Sequence, residues 1–344
     1  MMKRARNGSA LRLIAVPALL LLVAAAACGG GSAAQATPTA QPEQAEEWEL
    51  VFSKLPGALA SVWGTSATDI WAVGADAGSG LGTTVLHFDG THWKRMTTGF
   101  SGDLWWAFGF KDGQVFMGGT NGMILRYENG EFQKMETPGT DTVFGIWGIA
   151  PDNLWAVGGN ATTGGFVWRY DGTEWRVPEG LPAGLADSYS IFKLFGRGAN
   201  DVWIIGTGGI AIHYDGTKFQ QAPSGTTRNL FTVHSDGQRF TAVGGFGSGV
   251  IVENDGSGWK DVTPPGTPHM VGVYLSGGGF GYAAGAEGAV LRRNGTAWEK
   301  VDTGIKMIEA FHSVWVDSDG GVWAVGGQVL APPLVDGVMI HKAP

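Results

Sequence analysis

The apolar positions of this chain fall into three regimes. Residues 13–27 form an apolar run behind a basic head of Lys3, Arg4, Arg6 and Arg12. Residues 29–47, GGGSAAQATPTAQPEQAEE, carry almost nothing large and apolar. From Trp48 onward, short apolar runs are punctuated by glycine and by Asp-Gly or Asn-Gly pairs. Short runs bounded by turn residues predict strands, and this third regime shows no helical period.

The strands repeat. A run ending in glycine reads Ile70-Trp71-Ala72-Val73-Gly74, Val115-Phe116-Met117-Gly118-Gly119 and Leu154-Trp155-Ala156-Val157-Gly158. It returns at Val202-Trp203-Ile204-Ile205-Gly206, Phe240-Thr241-Ala242-Val243-Gly244, Tyr282-Ala283-Ala284-Gly285 and Val322-Trp323-Ala324-Val325-Gly326. The aligned glycines stand 45, 39, 48, 38, 41 and 41 residues apart. An inner strand precedes each run, as in Ser61-Val62-Trp63-Gly64 and Ile146-Trp147-Gly148. A third strand follows it, as in Val85-Leu86-His87-Phe88, then an Asp-Gly or Asn-Gly turn and an aromatic: Asp89-Gly90 before Trp93, Asn129-Gly130 before Phe132, Asp171-Gly172 before Trp175. Asp215-Gly216, Asp255-Gly256 and Asn294-Gly295 complete that series. Such pairs suit tight hairpins in which both central residues take positive φ.

Four strands per unit and seven units predict an all-β, seven-bladed β-propeller with four-stranded antiparallel blades. The seventh unit runs out at its third strand, Val338-Met339-Ile340-His341-Lys342. Trp48-Glu49-Leu50-Val51 has the outer-strand pattern, so the amino-terminal strand should complete the last blade, with Trp48 beside Ile340. Closure of this kind removes two free sheet edges. The domains are then 1–27, an export signal; 28–47, a disordered tether; and 48–344, the propeller.

Composition changes this picture little. The 58 glycines fall largely at strand ends and turns. Twelve of the 15 tryptophans sit on repeat columns, where large residues pack blade against blade; Trp105, Trp106 and Trp168 fall outside them. Without the signal the chain has 19 basic against 31 acidic residues, a balance of −12 with no basic stripe, which argues against nucleic-acid binding.

Ala25-Ala26-Ala27-Cys28 resembles the lipobox of bacterial lipoproteins, with alanine where leucine is usual. The resemblance implies a signal peptide cut before Cys28, lipidation of Cys28 and a place in the bacterial cell envelope; a plain secretory signal cut near Ala27 is the alternative. Cys28 is the sole cysteine, so no disulfide forms within the chain. Gly29 in place of an aspartate implies the outer membrane, by the same resemblance. The Asp-Gly-x-x-Trp turns resemble the Asp-box, or BNR, repeats of sialidase-like propellers, without the serine or threonine ahead of the aspartate. The whole repeat is similar to kelch and galactose-oxidase-like propellers, a resemblance that implies fold and carries little about activity. Neither the arginine cluster of sialidases nor the tyrosine–cysteine pair of galactose oxidase is present.

No metal site or cofactor is expected. Asp317-Ser318-Asp319-Gly320 looks like a fragment of a calcium loop but lacks the later ligands, and reads as turn chemistry. His87, His213 and His341 share a column, one per blade, too far apart for a common metal.

Breaks in the repeat mark the candidate site. Two residues before the inner-strand aromatic stand Ser61, Trp106, Gly145, Lys193, Phe231, Gly272 and Ser313; three before it stand Ala60, Trp105, Phe144, Phe192, Leu230, Val271 and His312. The loops on that face, 75–82, 159–165, 178–188 and 327–337, vary most. A pocket at the channel mouth near Trp105, Trp106, Lys193 and His312 is the candidate ligand site; the competing reading has these side chains merely plugging the channel. The expected function is a monomeric, lipid-anchored binding or scaffold module with a protein or glycan ligand at one face. Alternatives are a glycan-active hydrolase or lyase and an assembly factor for a membrane complex.

Overall fold

The computed structural model describes residues 47–78, 80–160, 164–185 and 189–344. The signal, Cys28 and nearly all of the tether lie outside them. The described residues form seven four-stranded antiparallel sheets. Blades 1 to 6 span 59–95, 104–135, 143–176, 191–222, 230–261 and 270–301, each strand pairing with the next in sequence. Blade 7 spans 310–342 and takes its outer strand from Trp48–Leu55. Regular structure is almost wholly strand, with short 3-10 turns at Thr207–Gly209 and Ala286–Gly288.

The ring closes as the repeat pattern requires, with a shift in register. Leu50, not Trp48, lies opposite Ile340; Trp48 pairs with Lys342 and packs its ring edge-on at 6.2 Å against Tyr282 of blade 6. Inner strands of adjacent blades contact one another all the way round, blade 7 to blade 1 included.

The core is divided. Successive side chains of a strand point to opposite faces, so Ile70 and Ala72 pack on blade 7 while Trp71 and Val73 pack on blade 2. Seven of the apolar clusters fill the gaps between neighbouring blades, one in each. The column tryptophans fill these gaps: Trp155 and Trp71 are 2 % exposed. Stability therefore arises chiefly from contacts between nearest neighbours.

The outer turns work differently from the expected hairpin. Only Asn129-Gly130 has positive φ at both residues, 52° and 88°. In the Asp copies glycine alone is positive, and the carboxylate organises a longer turn. Asp89 Oδ1 accepts the Thr91 and His92 backbone N–H groups and the Thr91 hydroxyl; Asp171 and Asp215 repeat the arrangement. These bonds hold Asp89 and Asp215 down to about 2. The 317–320 segment is likewise a turn: Asp317 accepts from the Asp319 and Gly321 N–H groups and from Trp323 Nε1.

One buried ion pair joins blades 5 and 6. Glu253 receives Arg293 Nε at 2.6 Å, Arg293 Nη2 at 3.0 Å and Trp298 Nε1 at 2.9 Å. Burial pushes the Glu253 carboxyl up; hydrogen bonds from Arg293 and Trp298 more than offset it and hold it below its ordinary value.

Candidate functional site

Every inner strand carries a β-bulge at the same level. Pairing skips one residue between Leu59 and Ser61, Leu104 and Trp106, Val143 and Gly145, and Ile191 and Lys193. It does so again between Leu230 and Thr232, Met270 and Gly272, and Phe311 and Ser313. A bulge re-aims the unpaired side chain. The seven unpaired residues are Ala60, Trp105, Phe144, Phe192, Phe231, Val271 and His312, and all but Ala60 line one cavity of about 220 Å³. Their rings follow one another: Trp105 lies 5.5 Å from His312 and 5.6 Å from Phe144, and Phe192 lies 5.8 Å from Phe144 and 5.1 Å from Phe231.

This corrects the sequence alignment in blade 5. Leu230 is paired with Gly244 and fully buried; Phe231 takes the bulge, and Thr232 takes the column of Ser61 and Lys193. The slip arose because His234 stands where other blades have a larger aromatic. His234 does fill that role, lying 4.2 Å from both the Phe195 and Tyr274 rings and accepting the Leu275 N–H at Nδ1.

Three of the four candidate residues, Trp105, Lys193 and His312, line the cavity together; Trp106 does not. Trp106 donates Nε1–H to Ile146 O at 3.0 Å and presents its ring face to Lys193 Nζ at 4.3 Å. Sequence reasoning missed Thr232, Phe246 and His269, which also line the cavity; Val329 and Leu330 come from the 327–337 loop expected on this face. The exposed Phe246 ends the second strand of blade 5, and the exposed Leu330 stands in the loop between the second and third strands of blade 7. Of the four loops expected to vary, only 327–337 is described throughout.

The walls are apolar and aromatic, and the polar groups are nitrogen-rich. Lys193 is 3 % exposed and donates to Phe144 O at 2.5 Å. Its stem crosses Gly145, where an added Cβ would meet Lys193 Cδ at 3.2 Å. Burial pushes the Lys193 ammonium down to about 7. His312 gives Nδ1–H to Ala60 O at 2.6 Å, which leaves Nε2 as an acceptor. Burial, reinforced by the nearby Lys193 charge, holds His312 down to about 3. Burial lowers His269 as well, and its Nε2, like Trp105 Nε1, has no hydrogen-bond partner among the described residues. No Asp or Glu is among the described residues lining the cavity. Among the described residues no group of three or more His, Cys, Asp or Glu side chains is placed to hold a metal ion.

No protein-family model matches the chain, and no curated protein matches it. Solved structures do. A structure of YCF48 bound to a D1 peptide is 15% identical, with a TM-score of 0.64 over 89% of this chain and 100% of that one. YCF48 from Cyanidioschyzon merolae is 15% identical, with a TM-score of 0.65 over 87% of this chain and 99% of the other. Virginiamycin B lyase from Staphylococcus aureus is 13% identical, with a TM-score of 0.67 over 87% and 100%. The likeness is one of fold. A peptide-bound protein and a lyase stand side by side in it, so it selects no activity.

Proposed function

We propose that this protein is a lipid-anchored binding module of the bacterial cell envelope that holds an apolar group of its ligand in the channel-mouth cavity. The observation that carries the binding role is the bulge ring: six of seven blades each turn one side chain out of the β-ladder to line a single cavity. The space left between these side chains supports a pocket at the channel mouth. The cavity's composition favours binding over glycoside cleavage, because acid–base cleavage of a glycosidic bond ordinarily uses two carboxylates. The anchor rests on the lipobox-like Ala25–Cys28 and the outer-membrane assignment on Gly29, both read from the sequence. Acyl chains on Cys28 supply about 0.8 kcal/mol of membrane affinity per buried methylene.

A protein partner is a second reading of the same face. Phe246 and Leu330 at the cavity mouth are 82% and 50% exposed, and exposed apolar side chains beside a pocket suit a docked chain. YCF48, of the same fold, has been solved with a peptide bound.

Two measurements test the proposal. An uncharged apolar probe, 4-phenyl-1-butanol, should bind the protein and quench tryptophan fluorescence, and Phe192→Glu should abolish that binding. Cys28→Ser should move the protein from the membrane to the soluble fraction and stop its labelling by an alkyne fatty acid. Absence of probe binding removes the pocket; unchanged membrane retention and labelling remove the anchor.

A further inference from the structure

The cavity holds a cation without a counter-ion. Lys193 Nζ gives one hydrogen bond to the Phe144 carbonyl and faces the Trp106 ring, and no carboxylate pairs with it among the described residues. A buried ammonium normally has an anionic partner, because desolvation of a lone charge costs several kcal/mol. Thr232 occupies the same column as Lys193 in the next blade, lines the same cavity and is 3 % exposed. Its hydroxyl has no hydrogen-bond partner among the described residues. Lys193, charged, and Thr232 therefore stand as donors beside the rings of Phe144, Phe192 and Phe231.

Resting on the pocket reading above, we propose that the cavity binds a small monocarboxylate with an aryl or alkyl body, its carboxylate taken by Lys193 and Thr232 and its body by the phenylalanine rings. An anion supplies the missing counter-charge, and the body displaces water from the rings. The acceptor Nε2 of His312 turns the carboxylate away from that side and toward Lys193.

Protonation of Lys193 is then part of binding. The other titratable groups of the cavity are His312 and His269, both lowered by burial, and His312 stays neutral between pH 6 and 8. Lys193, at about 7, is the group that changes charge over this range. A ligand that needs the protonated form binds about tenfold more weakly at pH 8 than at pH 6.

The test compares 4-phenylbutyrate with 4-phenyl-1-butanol, which has the same body and no charge. The acid should bind at least tenfold more tightly at pH 6, lose about tenfold by pH 8, and lose its advantage over the alcohol in Lys193→Met; the alcohol should bind the unmodified protein equally at both pH values. Retained alcohol binding shows that the variant's pocket is intact, and the pH series needs no variant. Equal affinity for acid and alcohol in the unmodified protein, or an acid affinity independent of pH, overturns the carboxylate assignment and leaves the pocket reading standing. Failure of both probes to bind removes both.

Discussion

Lys193 of blade 4 reaches across blade 3 to place its ammonium 4.3 Å from the centre of the Trp106 ring in blade 2. The contact exists because Gly145, the blade 3 residue of the same column, has no side chain in the way. Three blades thus meet through one buried cation.

That cation is costly to the fold. Lys193 titrates near 7 in the folded protein and near 10.4 when unfolded. Between these values the unfolded chain keeps a proton that the folded one has lost, so wild-type stability rises with pH. Lys193→Met should therefore raise the Tm at pH 6, by an amount on the order of 4 °C or more. The gain should shrink toward pH 9, as differential scanning calorimetry across pH would record.

Gly145→Val tests the slot. Its methyls would crowd Lys193 Cδ, Phe192 O and Val157 Cγ2, all 3.2 Å from an ideal Cβ. Overpacking of this kind costs about 1–3 kcal/mol. Chemical denaturation should show that loss, and fluorescence titration should show weaker 4-phenylbutyrate binding because the lysine is displaced.

Histidines make the ring acid-sensitive. Burial holds His234 down to about 3, against the opposing charge of Asp236. A folded-state value below the unfolded one means that stability is full above about 6.5 and falls as the pH drops toward 3. His234→Asn keeps an acceptor and should flatten the fall by about 1.4 kcal/mol per pH unit in this window, read from urea unfolding at pH 6, 5 and 4.

Glu253→Ala should be the most damaging of these single changes. It strands Arg293, which is 1% exposed, without its carboxylate. Loss of one partner of a buried pair costs about 3–5 kcal/mol. The midpoint of urea unfolding measures it, and far-UV circular dichroism confirms that the ring still assembles.

The repeat was legible because each blade repeats the same packing problem. Glycine-ended second strands and outer aromatics recur at positions set by the gaps they fill, so Trp71 and Trp155 announced the architecture. Blade 7's missing strand was legible for the same reason. The bulges were not, because an extra residue in a strand leaves no compositional mark. Ala60 and His312 share a bulge position and nothing else. Trp105, Trp106, Lys193 and His312 all break their columns, and three of the four line the cavity. Thr232 was hidden by the one-residue slip at His234, and His269 and Phe246 lie in segments outside the repeat columns, so nothing aligned them with the cavity.

Binding of a ligand carboxylate by protonated Lys193 draws a proton from solution when the free lysine is mostly neutral. Titration calorimetry of 4-phenylbutyrate at pH 8, in buffers of different ionisation enthalpy, measures the protons taken up on binding. With a free-state value of about 7, close to one proton should enter per ligand bound, and none in Lys193→Met. Tight binding at pH 8 with no proton uptake would rule out pairing of the carboxylate with protonated Lys193.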